Sequence, residues 1–364
     1  MSAQKSSKSG MKSYFSPYQP PYTFLEKLVR YGTILRAMAG VLRITIGSKY
    51  FNLPEKAFGA SVEVTDRCNA GCHYCYVYKP EWNQKKRIQG YLELSPQEHR
   101  LKEEKIFQTL EKLHSRGIVQ VTLVGGETAL APKAVQRASE LFPIVWVVTN
   151  GAAKLPTLPH SASIAVSVDG PAEYHNRSRD PLGFFSEHRY GELTGMSAAI
   201  VRNINLSERS AFVHITLTKP AIALFKETVD WLVRDVKKLR GIVVSGAATK
   251  DKANPATLSI EDRKLINQMI NDAADQYGWD LFPFNQPKVN QFLFEEKNII
   301  YNASNCTVSR RVESLDFNGE VVGKCVLRDE TLCETCVCNI TGLMRAASQF
   351  DLATLQGLIR TSFG

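Results

Sequence analysis

The chain contains no run of eighteen or more apolar residues, so no segment reads as a span of a bilayer. Its opening, Met1-Ser2-Ala3-Gln4-Lys5-Ser6-Ser7-Lys8-Ser9-Gly10, is polar and basic with no apolar stretch behind it, which argues against a secretory signal and leads us to expect a cytoplasmic chain. A net charge of +9 invites a polyanion reading, yet no recognisable DNA- or RNA-binding motif accompanies it. Part of the excess sits on flanks such as Lys5, Lys8, Lys12 and the run Lys85-Lys86-Arg87, which reads as solvated surface, and no nucleic-acid partner is expected. Cysteines are not scattered in pairs across the chain. All eight fall in two groups, at 68 to 75 and at 306 to 338, a pattern that favours metal sites in a reducing compartment over disulfides.

What is present is enough apolar residue for a full-sized core, 44% of 364 positions, arranged in a repeating order. Residues 1–22 are rich in Ser, Lys, Pro and Tyr and read as a flexible tail. Between 22 and 46, Leu25, Leu28, Leu35, Met38 and Leu42 recur at helical intervals with Lys27, Arg30, Arg36 and Arg43 among them. This basic amphipathic segment, within an extension over 23–57, either packs across the end of the core or lies on an anionic membrane. Strand-like runs then follow at Ser61 to Thr65, Val119 to Val124, Ile144 to Thr149, Ser163 to Val168, Phe212 to Thr218 and Gly241 to Ser245. Helical patterns at about 97–115, 132–141, 192–206 and 221–239 alternate with them, which defines a βα repeat with a parallel sheet over 58–250. A helical connection at 251–300, with a pattern from Ser259 to about Tyr277, leads to a cysteine-rich region at 301–364.

Cys68, Cys72 and Cys75, spaced C-x3-C-x2-C, follow the first strand directly. A 4Fe-4S cube normally takes a cysteine at each corner, so three leave one iron open to another ligand. Parallel βα folds gather functional groups at the C-terminal ends of strands. Gly125-Gly126-Glu127-Thr128 ends the second strand, Thr149-Asn150-Gly151 the third and Ser167-Val168-Asp169-Gly170 the fourth. The cysteine spacing, Tyr74 before its last cysteine and the Gly-Gly-Glu one strand later resemble the radical S-adenosylmethionine (radical SAM) superfamily, from residue 61 to about 245. The resemblance implies an α/β fold, a partial (β/α)6 TIM-like barrel with a helical N-terminal extension and a small irregular cysteine-rich C-terminal domain. It also implies that Cys68, Cys72 and Cys75 ligate a 4Fe-4S cluster whose open iron binds S-adenosylmethionine. Reductive cleavage would then give a 5'-deoxyadenosyl radical that takes hydrogen from an unactivated carbon.

By the same resemblance Gly125, Gly126 and Glu127 bind the methionine amino group, the backbone at Tyr74 touches adenine, and Ser167 contacts ribose. Arg179, in the Pro171-to-Arg179 stretch that resembles the peptide-modifying branch, and Thr216 on the fifth strand join the cofactor-binding set. No catalytic residue is assigned beyond the cluster. Zinc is the competing use of closely spaced cysteines, but His73 can hardly close the same shell as its neighbours. Glu127 could equally be an acid at a helix N-terminus, and Ser167 and Asp169 could be strand-end turn residues. His175, His188 and His214 remain unassigned.

Cys306, Cys325, Cys333, Cys336 and Cys338 form the second group, with an Asn318-Gly319 hairpin turn between the first two. The order resembles the auxiliary-cluster extensions called SPASM and Twitch domains, although the full SPASM pattern has seven cysteines. Five imply one auxiliary iron-sulfur cluster, drawn from Cys306, Cys325 and Cys333 with Cys336 or Cys338; a zinc ribbon on the same residues is the alternative. The expected partners are a substrate, either a peptide or a lipid, isoprenoid or tetrapyrrole, and an external electron donor such as flavodoxin or ferredoxin. Residues 22–46 would supply any peripheral membrane contact. A non-catalytic iron-sulfur or zinc protein is the reading from a different class.

Overall fold

Short runs of Val, Ile and Thr covered on both faces favour parallel pairing, and in the computed structural model six such runs form the centre of one sheet. The structure describes residues 15–18, 58–77, 84, 85, 87, 95–155, 157, 158 and 162–363, with eight single or paired residues between 23 and 39. The tail expected at 1–22 and the extension at 23–57 lie largely outside these. Within the latter, Phe24, Leu28, Tyr31 and Leu35 are helical and exposed.

The strands are β1 (Gly59–Glu63), β2 (Gln120–Val124), β3 (Ile144–Thr149), β4 (Ala162–Val168), β7 (Ala211–Leu217), β8 (Leu239–Gly246) and β9 (Val312–Leu315). They run in the order β8-β7-β4-β3-β2-β1-β9, every neighbouring pair parallel. A separate hairpin joins β5 (Arg189–Tyr190) to β6 (Leu193–Thr194). Six strands match the expected partial barrel; β9, from the cysteine-rich region, adds a seventh beside β1.

The helices α1 (Pro96–Ser115), α2 (Pro132–Leu141), α3 (Ala172–Arg179), α4 (Gly195–Leu206) and α5 (Phe225–Asp235) fall between the strands. A capping box between Ser95 and Glu98, with Pro96 at the first position, starts α1. Its Ile106, Leu110 and Leu113 lie on one face and are buried, each such side chain contributing about 1.5–3 kcal/mol. After α6 (Ile260–Tyr277) and α7 (Pro287–Phe294), the region expected to be irregular contains α8 (Thr307–Arg311), α9 (Asn339–Ser348) and α10 (Leu352–Phe363).

Alternation along the strands leaves one face unusually polar. Glu63 and Ser61 alternate on β1, and the register sets Ser61 beside Ser314, Ser167 beside His214 and Thr216 beside Ser245. Toward the strand N-termini, Trp146, Phe212 and Phe284 pack ring to ring at 5.3–5.5 Å. Helix α10 approaches the same region, with Ser163 Oγ donating to Thr361 O at 3.4 Å. That end is filled, and the polar side chains concentrate at the C-terminal ends of the strands.

Candidate functional site

Residues 64–77, which follow β1, are bonded to the end of β2. Gly126 N donates to Thr65 O at 2.8 Å and Glu127 N to Arg67 O at 2.5 Å. Gly125 has φ +123°, and a Cβ there would stand 2.7 Å from Thr65 O, so glycine is demanded both by conformation and by approach. Gly71 N donates to Arg179 O at 2.7 Å, and Asn150 Nδ2 donates to Asn69 Oδ1 at 2.7 Å. Lys102 pairs with Asp66. The loop is thus fixed to β2, to the β3 end and to α3.

Cys68 is buried, Cys72 and Cys75 are half-buried, and all three thiols are free. Burial and the proximity of Cys72, Glu127 and Cys75 push the Cys68 thiol well above its ordinary range. Burial pushes Cys72 to about 11, against the opposing pull of Arg179 and Arg87. Thiols that resist ionisation by themselves and raise one another suit a site where bound metal displaces the protons. Among the described residues no three Cys, His, Asp or Glu donors converge on a single-ion position. A cubane, with one thiolate on each ligated iron, asks for a wider spread than one ion does. Three free thiols on one loop are the kind of donor such a cluster takes.

Tyr74 turns its side chain away from solvent into a buried network. Its hydroxyl donates to Asp169 Oδ1 at 2.5 Å and accepts from Arg179 Nη2 at 2.8 Å. Arg179 also pairs with Asp169 at 2.7 Å, and Ser178 Oγ donates to Asp169 Oδ2 at 2.6 Å. Burial works against the Asp169 carboxylate, but Arg179, His175 and these bonds hold it below the usual range. His175 and His214 are each brought down to about 4 by burial and by Arg179, so both are neutral at neutral pH.

Glu127 is 1% exposed and its carboxylate is fully engaged. It accepts from Ala129 N at 2.8 Å, Asn150 N at 2.7 Å and the Thr149 hydroxyl. It therefore caps a short 3-10 turn and braces β2 against β3, as the helix-terminus alternative required. Burial raises its carboxyl above the ordinary value, while those three bonds pull it down. Ser167 and Thr216 lie on the polar face, the former beside His214, and neither bonds into the Tyr74 network.

Sequence reasoning passed over several residues here. Asp169, which reads in sequence as a possible turn residue, is the centre of the network. Arg87, assigned to solvated surface, is buried and donates to the Ala70 and Cys72 carbonyls. Glu63, the one charge in the first strand run, is buried and takes two hydrogen bonds from Arg328 Nη2 at 2.8 and 3.0 Å. Burial, opposed by Arg328, raises its carboxyl to about 7. A charge inside an otherwise uncharged strand was the available signal.

The five later cysteines line one cavity together with Arg263, Phe292 and Leu327. Cys306 and Cys338 sit at the N-caps of α8 and α9, with Cys306 Sγ 3.8 Å from Thr341 Oγ1. Burial raises Cys325 to about 11 and lifts Cys336 and Cys338 as well. The hairpin forms in part, with Leu315 bridged to Val321 and Gly319 at φ +81°. Tyr76 feels both groups, since Glu63, Cys75 and Cys338 add to burial in raising its hydroxyl.

Residues 62–179, which hold these strand-end loops and the first three cysteines, match the family model described as Radical SAM superfamily. Among curated proteins, the sporulation killing factor maturation protein SkfB of Bacillus subtilis (strain 168) is 28% identical over 136 residues, 35% of this chain and 30% of that protein. The mitochondrial GTP 3',8-cyclase of Arabidopsis thaliana is 26% identical over 200 residues, 49% of this chain and 48% of that one. The chain thus spans about a third and about half of these relatives. In fold it is similar to Streptococcus suis SuiB, solved bound to precursor peptide SuiA and bound to S-adenosylmethionine. Each comparison gives a TM-score of 0.50 at 13% identity, covering 82% and 83% of this chain and 65% and 71% of the respective SuiB chains. No helix among the described residues is long and apolar enough to cross a membrane.

Proposed function

We propose that the chain is a radical SAM enzyme that modifies a peptide. The observation that carries this reading is the free-thiol loop of Cys68, Cys72 and Cys75, bonded through its backbone to Gly126 and Glu127 at the open end of a parallel barrel. Those three cysteines would hold a 4Fe-4S cluster with one iron open. With S-adenosylmethionine bound there, the cofactor pair supplies reductive carbon-sulfur cleavage and a 5'-deoxyadenosyl radical able to take hydrogen from an unactivated carbon. The protein's part is orientation and exclusion of water. Gly125 and Gly126 permit close backbone approach, Tyr74 is held by Asp169 and Arg179, and Ser167, Thr216 and neutral His214 line the polar wall that a cofactor and substrate would face. Four of the five later cysteines would hold an auxiliary cluster, and an external flavodoxin or ferredoxin would supply electrons.

A peptide substrate is supported by the relatives, SkfB being a maturation protein and SuiB having been solved with its precursor peptide. Strand addition to the main sheet is not the mode of binding that the described residues favour. At the β8 edge, Asn285 bonds both polar groups of Val244 and Val337 O accepts from Gly246 N. At the β9 edge, Val322 N bonds Ser314 O. A lipid substrate or a peripheral membrane contact draws support from one observation, the exposed Phe24, Leu28, Tyr31 and Leu35 on a helical segment with basic neighbours. Deleting 22–46 and measuring sedimentation with anionic liposomes tests it, unchanged binding ruling it out. The main reading is tested by anaerobic reconstitution with iron and sulfide, then S-adenosylmethionine and dithionite. Formation of 5'-deoxyadenosine is expected; its absence from intact, reduced protein would return the chain to a non-catalytic iron-sulfur or zinc protein.

A further inference from the structure

Gln84 and Arg87 are three residues apart in a stretch whose described residues are helical, so their side chains share one face. Both are buried, at 1% and 6% exposure, although Arg87 ends a basic run that reads as solvated surface. Gln84 Nε2 donates to Asn69 O at 2.9 Å and to Asp180 Oδ1 at 2.9 Å, and its Oε1 accepts from Leu182 N at 3.4 Å. Arg87 spreads its fork over the next carbonyls, Nη1 to Ala70 O at 3.1 Å and Nη2 to Cys72 O at 3.2 Å. With Gly71 N bonded to Arg179 O, every residue from Asn69 to Cys72 has a backbone group held from outside the loop. Gly71 also admits no side chain, since a Cβ would stand 2.9 Å from Pro181 and 3.0 Å from Gln84.

A carbonyl bonded to a guanidinium is held more firmly than one bonded to water, because the donor is charged and cannot lose its proton. Two such bonds from one rigid plane fix the spacing between Ala70 and Cys72 as well as their positions. A lysine could reach one carbonyl as a point charge but could not fork across both. The same cation stands on the backbone of a cysteine read as a cluster ligand, where loading would gather negative charge on the thiolates.

We propose that Gln84 and Arg87 are positioning residues, a clip that sets the cysteine loop before any metal arrives, with the fixed charge of Arg87 favouring the loaded state. The first half stands on the hydrogen bonds alone; the second rests on the cluster reading given above. Hydrogen exchange on the metal-free full chain tests the first half. Arg87→Met should raise exchange in a 66–77 fragment by about ten- to a hundred-fold, the equivalent of a lost charge-assisted hydrogen bond, and leave β3 and α5 unchanged. Arg87→Lys should fall between, and Gln84→Leu should affect Asn69 and Ala70 most. Unchanged exchange in both Arg87 variants overturns the clip. The second half is tested on the anaerobically reconstituted protein through the midpoint potential of the S-adenosylmethionine-responsive signal. Arg87→Met should lower it and Arg87→Lys should hold it near the parent value, a split that a merely structural role would not give. An equal potential in Arg87→Met, or a parent chain that shows no such signal, overturns the charge role, and in the latter case raised exchange would still support the clip.

Discussion

The two cysteine groups are held in opposite ways. The loop at 64–77 is bonded from four sides, to Gly126 and Glu127, to Asn150, to Arg179 and to Gln84 and Arg87, so its geometry follows from the barrel itself. The group at 306–338 hangs on short local turns, such as Arg328 N to Cys325 O at 2.9 Å and Cys336 N to Cys333 O at 3.1 Å. The segments between these cysteines do reach the barrel, through β9 beside β1, Val337 on Gly246, Leu332 and Thr335 on Thr249, Asn339 on Ser245 and Arg328 on Glu63, but the backbone groups of the cysteines themselves bond within the region. A preformed loop can bind a cluster without ordering itself, whereas a loosely held one must be completed by what it binds. The first should therefore keep its shape when empty, and the second should depend on loading.

The sharpest way to break this contrast is to remove the first group of thiols. Cys68→Ala/Cys72→Ala/Cys75→Ala should abolish 5'-deoxyadenosine formation outright while the fold, and the iron of the proposed auxiliary site, survive, read by circular dichroism and iron per chain. A triple variant without residual iron would argue for zinc, or for no metal, at the later cysteines.

Next in size is Asp169→Asn. It leaves the Arg179 guanidinium buried without its carboxylate, a change that costs about 3–5 kcal/mol when a buried pair is broken from one side. The urea midpoint should fall accordingly, with Tyr74 losing its anchor and the first loop loosening more than the second. A variant as stable as the parent would show that Tyr74 and Ser178 suffice to hold that region.

Most of the barrel was legible because its strands are continuous Val, Ile and Thr runs ended by Gly or a polar turn; Ile144–Thr149 and Pro132–Leu141 match their expected limits. Strand β9 was not legible. Val312-Glu313-Ser314-Leu315 is too polar to announce a buried strand, and its partner β1 lies some 250 residues earlier, beyond any local signal. The cysteine loop and the Gly-Gly-Glu were legible as motifs, yet their internal work was not. That Glu127 braces β3, and that Arg87 leaves a basic run to bind carbonyls, are facts of tertiary contact which spacing does not encode.

Glu63 offers a test of the seam between the regions. Its carboxyl titrates near 7 in the folded chain against 4.5 ordinarily, chiefly through burial. The folded state therefore holds that proton more tightly. Stability from this group is complete below about 4.5 and is lost as pH rises through about 7, a loss of a few kcal/mol at most. Glu63→Gln should flatten the stability profile between pH 5 and 8, followed by thermal melts. An identical slope in both proteins would mean that Arg328 keeps Glu63 ionised throughout.

The smallest expected effect comes from the second group's own version of the Arg87 contact. Lys324 Nζ donates to Asp329 O at 2.8 Å and to Thr331 O at 2.6 Å, holding the loop between Cys325 and Cys333 by two carbonyls. Lys324 is half-exposed where Arg87 is buried, and its ammonium trades these bonds against strong hydration. Lys324→Met should cost about 1 kcal/mol or less and raise hydrogen exchange over 324–332 by under about tenfold. If Lys324→Met instead loosens its loop as much as Arg87→Met loosens the first, the second group is as firmly built as the first, and the contrast between a preformed and a completed site fails.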